Sequence, residues 1–368
     1  MQAGDLCGDL VTFIQMQSLM SNDHSGSKVI SANVIDYPAR DMTITVAAAM
    51  TVGELREVLR QEQQQLPVDT PDDSMTIGEM VAFDISGPRQ YGYFTLRDYL
   101  IGIEARDGSG RVFHAGGRVV KNVAGYDLCR LLIGAEGKLG KLQQLTFKLN
   151  PLPADQHVCV ASFRTLKDLE ASLETINTTA TTPRILDVVN SVAARLLLPA
   201  IDSSLTTQSS AMAEAFLIVG FDGSRKACDW QTKAIAEELH GLASGITTIG
   251  TPSAVPDYCR TATKFSQFDN DAATGWWTRV VTLPSQVVTI LEIANELGVS
   301  ACGRAGNGIV FLSGDTQIRT EDLRDRLTRL IDTGCGHFQF RKQNFTVQHP
   351  VISSQVERYS TMLNELLG

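Results

Sequence analysis

The sequence has no apolar run approaching the roughly 18 residues that a membrane-crossing helix needs. It has no CxxC pair. The seven cysteines (Cys7, Cys129, Cys159, Cys228, Cys259, Cys302 and Cys335) are odd in number and widely scattered. That spacing argues against a disulfide framework, offers no ligand cluster for an iron–sulfur centre, and predicts reduced thiols in a cytoplasmic setting. The six histidines show no HxH or HxxxH spacing, so no metal site is expected. Basic residues are in deficit, with 32 Lys and Arg against 41 Asp and Glu, a net charge of -9 that does not favour binding along a nucleic-acid backbone. The opening "MQAGDLCGDLVTFIQMQSLM" lacks the basic start and cleavage site of a signal peptide. There is no repeat of a few tens of residues and no low-complexity tract.

What the chain does have is ample apolar material, 43% of 368 residues, enough for at least two domains. "DMTITVAA" alternates as a strand. In the "TVGELREVLRQEQQQ" that follows, Thr51 and Glu54 have capping-box spacing and Leu55, Val58 and Leu59 share a helical face. The helix is expected to run towards Pro67 and Pro71. "YLIGIEARDGSGRVFHAGG" reads as two strands around a turn at 107–110, and "KLQQLTFKLNPLP" as a strand stopped by Pro151 and Pro153. The proline pair predicts a boundary, with domains at 1–153 and 154–368. Past it, strands at "HVCVASF", "AFLIVGFDG", "WWTRVV" and "GNGIVFLSG" alternate with amphipathic helices. This pattern predicts helices laid over an antiparallel sheet, with the strand near 305–312 in the same sheet as that near 216–221.

Residues 116–140, "GGRVVKNVAGYDLCRLLIGAEGKLG", hold six of the chain's 30 glycines. Two further clusters lie in "TIGEMVAFDISGPRQYGY" and "HAGG". Glycine admits positive φ and leaves room for a ligand against the backbone, and exposed amides in such turns bind phosphate. Tight turns between packed strands are the alternative, and the residues leave both readings open. "GAEGKLG" follows a helix and precedes a strand, so it is not the strand-to-helix GxGxxG of a dinucleotide fold, and no P-loop pattern is present.

From "SGPRQYGY" through "GGRVVKNVAGYDL" to "GAEGKLG" the sequence resembles the PCMH-type (vanillyl-alcohol-oxidase-like) FAD-binding flavoproteins, and within them the GlcE-type subunits of glycolate oxidases. The resemblance implies an α+β class: an FAD-binding domain of two α+β subdomains, here incomplete at its N-terminus, followed by an α/β cap domain. It puts Thr76, Ile77 and Gly78 at a turn passing the FAD diphosphate, and Ser86 and Gly87 on the next loop. Tyr91, Gly92, Arg97 and Asp98 lead towards the adenosine half. Gly116, Gly117, Lys121, Asn122, Tyr126 and Asp127 lie near the flavin, and Gly134, Gly137 and Leu139 form a further turn. The implied partners are a GlcD-like flavoprotein and a GlcF-like iron–sulfur subunit, with a small 2-hydroxy acid as substrate. The implied location is the cytoplasm, at the inner face of the membrane through those partners.

The departures from the family fall at the implied cofactor site. "AAM" at 48–50 replaces an AGT or AGI turn, TIGG becomes "TIGE" with Glu79, Asp84 replaces an Asn, and Ala135 and Lys138 alter a GSxGTLG turn. The first residues contain no GGGT loop, and no NPGR-like segment precedes the final "LNELLG". The expectation is FAD held weakly or lost, and the alternative function is a scaffold subunit that has given up FAD. His114, Lys121, Tyr126, Asp127 and Arg130 form the most polar stretch, but surface or structural roles suit them equally, so no catalytic residue is assigned. Adjacent Trp276 and Trp277 point to opposite faces of a strand, so at most one of them lines any given pocket. Arg279 and Arg304 are candidate carboxylate binders.

Overall fold

The computed structural model describes residues 31–117, 128–206, 213–267, 275–315, 320–332, 336–342 and 345–348. From Asn33 onward the chain forms one compact unit. Its first part runs β1 (Val34–Asp36), β2 (Thr43–Ala47), α1 (Val52–Arg60), β3 (Gln64–Gln65), α2 (Ile77–Ala82), α3 (Gln90–Tyr93), α4 (Leu96–Tyr99), β4 (Leu100–Arg106), β5 (Val112–Gly116), α5 (Leu128–Leu132), β6 (Lys141–Lys148) and β7 (Asn150–Pro151). Five strands make an antiparallel sheet in the order β1-β2-β6-β4-β5. Its buried face carries Ile44, Val46, Ile103, Ala105, Leu145 and Phe147, which pack with Val52, Leu55, Val58 and Leu59 of α1 and Ile77, Met80 and Val81 of α2. Period-2 strands and a 3.6-period helix thus close on one core.

The α1 helix stops at Arg60, short of the prolines. Gln63 takes a left-handed conformation (φ 54°), and Gln64–Gln65 pair instead with Asn150–Pro151 in a two-stranded ladder. A cross-strand partner some 86 residues away ends the helix before a local breaker does. The turn at 107–110 is as expected: the Asp107 carboxylate accepts from the amides of Ser109 and Arg111 at 2.9 Å each, and Gly110 has φ 87°.

The second part comprises β8 (Asp155–Phe163), α6 (Leu166–Ile176), β9 (Ile185–Asn190), α7 (Ser191–Leu197), β10 (Ala215–Gly223), α8 (Arg225–Glu238), β11 (Gly245–Ile249), α9 (Ala254–Phe265), β12 (Trp276–Val281), α10 (Val287–Leu297), β13 (Ser300–Arg304), β14 (Ile309–Gly314), α11 (Thr320–Asp332), β15 (His337–Lys342) and β16 (Phe345–Gln348). Nine antiparallel strands run in the order β11-β8-β10-β9-β13-β14-β12-β15-β16, so the strands near 216–221 and 305–312 share a sheet. One face packs under α6, α8, α10 and α11 with Trp276 and Val280, and the other under α7 and α9. Trp277 joins Ile309 and Phe311 on that second face, so the paired tryptophans do diverge.

Asn190 ties this sheet together. Its buried amide donates to the Val299 carbonyl at 2.7 Å, and its oxygen accepts from the amides of Ala193 (2.9 Å) and Ala301 (3.0 Å). It thereby caps α7 and joins the ends of β9 and β13. Replacing it by Ala strands two buried donors and one acceptor. Asn190→Ala should lower the unfolding free energy in urea by about 2–4 kcal/mol, whereas a loss below about 1 kcal/mol would mean that water or relaxation satisfies these groups.

Candidate functional site

The helices α1 and α2 start side by side, joined by an antiparallel bridge between Thr51 and Thr76. Each start is a complete capping box. The Glu54 carboxylate accepts from the Thr51 amide (2.9 Å) and the Thr51 hydroxyl from the Glu54 amide (3.2 Å). The Glu79 carboxylate accepts from the Thr76 amide (2.9 Å) and hydroxyl (2.8 Å), and the Thr76 hydroxyl takes the Glu79 amide (3.2 Å). The remaining first-turn amides serve the neighbouring turn: Val52 to Met75, Gly53 to Asp73, Ile77 to Met50 and Gly78 to Ala48, all at 2.8–2.9 Å. Glu79, the departure from TIGG, therefore acts as an internal anion at a helix start.

Among the other expected site residues, several glycines are approached by the chain's own atoms. A Cβ at Gly78 would sit 3.0 Å from the Ala48 carbonyl oxygen. One at Gly87 would collide with Thr263 of α9 and with Asp69, and one at Gly92 with the Arg184 backbone at 2.6 Å. Tyr91 lies against Gly306 of the β13–β14 hairpin. Ser86 lies on the same loop as Gly87, half-buried. Asp98 closes a capping box with Thr95, accepting from its amide at 3.0 Å, and Arg97 is exposed beside it.

Gly134 (φ 75°) donates to Val81, and Glu136 to Ala82, so the Gly134–Gly137 turn sits at the far end of α2, next to Asp84. Gly137 faces open space, and Leu139 packs at the edge of the first core. Gly116 and Gly117 end β5, and the Gly117 amide donates to Ile101 at 2.8 Å. The short α2 thus has Thr76, Ile77 and Gly78 at one end and Gly134 and Gly137 near the other. Lys121, Asn122, Tyr126 and Asp127 lie outside the described residues. Of the polar stretch around them, His114 is exposed, 3.5 Å from the Glu104 carboxylate, and Arg130 is exposed on α5.

A cavity of about 490 Å³ lies between α1 and α9. Its walls include Leu55, Leu59, Val255 and Pro256, with Arg56, Arg89 and Arg260 around them, and Ile77 is the one expected site residue that lines it. These arginines already have acids: Arg56 pairs with Asp73, Arg89 with Asp69 at 2.6 Å, and Arg260 with Asp257 at 3.1 Å. Burial opposes the Arg89 charge, but the Asp69 carboxylate with the Cys259 side chain outweighs it and raises the pKa. Arg304, a candidate carboxylate binder by sequence, is fully committed. It is 2% exposed, pairs with Asp187, donates to the Ala262 carbonyl at 3.2 Å, and shares Asp187 with the Tyr258 hydroxyl at 2.7 Å. Asp69, Asp187 and Tyr258 carry no local signal in the sequence, because their partners lie 20 to 117 positions away. Among the described residues no three His, Cys, Asp or Glu side chains gather as a metal site.

The double cap does not fit a flavin diphosphate as it stands. All four leading amides at each helix start have acceptors, and a diphosphate there would meet two carboxylates, Glu54 and Glu79.

A family described as an FAD binding domain matches residues 16–116. The glycolate oxidase subunit GlcE of Escherichia coli (strain K12) is 34% identical over 122 residues, covering 33% of this chain and 35% of that protein. The glycolate oxidase subunit GlcD of Bacillus subtilis (strain 168) is 26% identical over 317 residues, covering 80% of this chain and 64% of that one. The chain thus spans between a third and two thirds of these relatives. A solved 4-ethylphenol oxidase from Gulosibacter chungangensis shares the fold over 91% of this chain and 76% of its own, with a TM-score of 0.62 at 14% identity. The mixed α+β class and the resemblance to PCMH-type, vanillyl-alcohol-oxidase-like flavoproteins both hold.

Removing the Glu79 side chain breaks a cap and places glycine inside a helix. Glu79→Gly should destabilise the protein by about 1–2 kcal/mol, while Glu79→Gln, which can still accept from Thr76, should lose less than half as much. Thermal or urea unfolding reads the difference, and equal stability of all three proteins would show the cap to be inert.

Proposed function

We propose that this chain, which carries the fold and the FAD binding domain of the vanillyl-alcohol-oxidase-like flavoproteins, is the GlcE-like, FAD-binding subunit of an oxidoreductase complex acting on glycolate or a related 2-hydroxy acid. The observation behind this reading is the FAD binding domain match at 16–116, together with two relatives that are both glycolate oxidase subunits. In it, residues 1–153 are the FAD-binding domain and 154–368 the cap. Electrons pass to a GlcF-like iron–sulfur partner, beside a GlcD-like flavoprotein that carries the main substrate chemistry. The scattered cysteines of this chain supply no cluster ligands of their own, which is why a separate iron–sulfur partner is invoked. Any contact with a membrane is placed at its inner face, through those partners; among the described residues no helix is long and apolar enough to cross a membrane.

In this reading the diphosphate lies at the start of α2, beside Thr76, Ile77 and Gly78, and competes there with the Glu79 carboxylate for the Thr76 amide and hydroxyl, so the affinity is low. The closed caps favour a second reading, a scaffold subunit of the same complex without FAD. Equilibrium dialysis of the purified full chain against FAD separates the two. The first reading expects an excess of FAD on the protein side, with a flavin spectrum that bleaches when glycolate or D-lactate is added with the partner subunits present. Equal FAD on both sides, from protein that still assembles with the iron–sulfur subunit, would establish the scaffold instead.

A further inference from the structure

The cavity between α1 and α9 has a floor and a rim of opposite character. The floor is apolar and deeply buried: Leu55, Leu59, Met80 and Val255 are each at most 3% exposed. The rim is cationic and reaches solvent, with the side chains of Arg60, Arg260 and Arg56 exposed by 62%, 45% and 32%. The volume of about 490 Å³ falls in the range of small-molecule sites. α1 belongs to the first part of the chain and α9 to the second, so a molecule held there touches both.

The charges around the rim do not balance. Four arginines line the cavity against two carboxylates, Asp69 and Asp73. Asp69 is taken up by Arg89, accepting from its backbone amide at 2.8 Å and from its Nε at 2.6 Å. Asp73 is shared: Arg56 pairs with one of its oxygens, and Arg260 lies 4.0 Å from the other. Arg60 and Arg260 have further acids in Glu57 and Asp257, but these are exposed pairs along their own helices, which are worth little. Burial holds the Arg56 pKa below its ordinary value even against Asp73, and the Arg89 charge adds to the fall. A guanidinium carries five N–H donors in a planar fork, more than these contacts use.

We propose that this cavity binds a medium-chain organic carboxylate, with its head between Arg56 and Arg260 and its chain over Leu55, Leu59 and Val255. Two guanidiniums that share one carboxylate have donors for a second, and one further anionic head offsets the excess positive charge that Asp73 alone leaves. The apolar floor selects against acids too short to cover it, so a two- or three-carbon hydroxy acid is not its ligand. Because the molecule spans α1 and α9, it clamps the two parts of the chain together. The inference rests on the cavity and is independent of the oxidoreductase reading.

The test is calorimetric titration of the full chain with octanoate, hexanoate, acetate and octanol, in the presence and absence of FAD. Octanoate should bind saturably and hexanoate roughly tenfold or more weakly, since each buried CH₂ is worth about a factor of four. Acetate and octanol, which lack the chain and the charge respectively, should not saturate. Octanoate should also raise the melting temperature of the parent, as a ligand of the folded state does. Arg260→Gln alters a half-exposed side chain and should melt as the parent does without ligand, yet bind octanoate about tenfold more weakly; Arg260→Lys should lose less. Arg195→Gln, on the exposed side of α7, should change nothing. Saturating FAD should leave octanoate binding unaltered. The proposal is overturned if octanoate does not saturate, if octanol binds as tightly, if FAD competes with it, or if Arg260→Gln binds it as the parent does.

Discussion

The two sheets are held together by contacts so close that only glycine fits at three of them. Gly87 meets Thr263 and Asp69, Gly92 meets Arg184, and Gly306 meets the Tyr91 ring. Around these points lies a buried polar layer. Arg184 donates to the Gly92 carbonyl and to Asp222, both at 3.1 Å, and stacks 4.9 Å over Tyr93, whose hydroxyl also reaches Asp222. Asp69–Arg89 and Asp187–Arg304 continue it beneath α9. The buried Asp69–Arg89 and Asp187–Arg304 pairs add little net stability against an apolar core, but losing one partner typically costs about 3–5 kcal/mol, and the bonds of Arg184 to Gly92 and of Tyr93 to Asp222 are the ones that join the two parts.

The same closeness gives the glycine clusters a physical role that needs no ligand. Gly78 and Gly87 face their own chain, while Gly137 faces open space. At the paired starts of α1 and α2, the dipoles that would attract an anion are met by Glu54 and Glu79. An internal carboxylate costs no translational entropy to bind, so it holds an advantage over a free diphosphate of equal charge density.

Much of this fold was legible because its patterns are local. Alternation in "DMTITVAA" and the Thr51–Glu54 spacing gave a strand and a capped helix where they stand. Thr76 and Glu79 have the same spacing and form an equally local cap, which the family resemblance obscures by placing a diphosphate turn on the same residues. The early end of α1 was hidden because Gln64 and Gln65 find their strand partner only in the fold. β9, β13 and α9 have little local signal: β9 is buried throughout, without alternation, and α9 carries Pro256 in its first turn. The commitment of Arg304 to Asp187 is a contact across 117 positions with no local trace.

In the proposed reading Glu79 holds, as an internal anion, the helix start at which the flavin diphosphate would dock. Titration of FAD into the flavin-free parent and into Glu79→Gly, with binding read from quenching of flavin fluorescence, should show weak binding by the parent. Binding should be tighter by about tenfold in the variant, once one like charge at roughly 1–4 kcal/mol is removed and the Thr76 amide and hydroxyl are freed. Nanomolar binding by the parent, unchanged by the substitution, would contradict it.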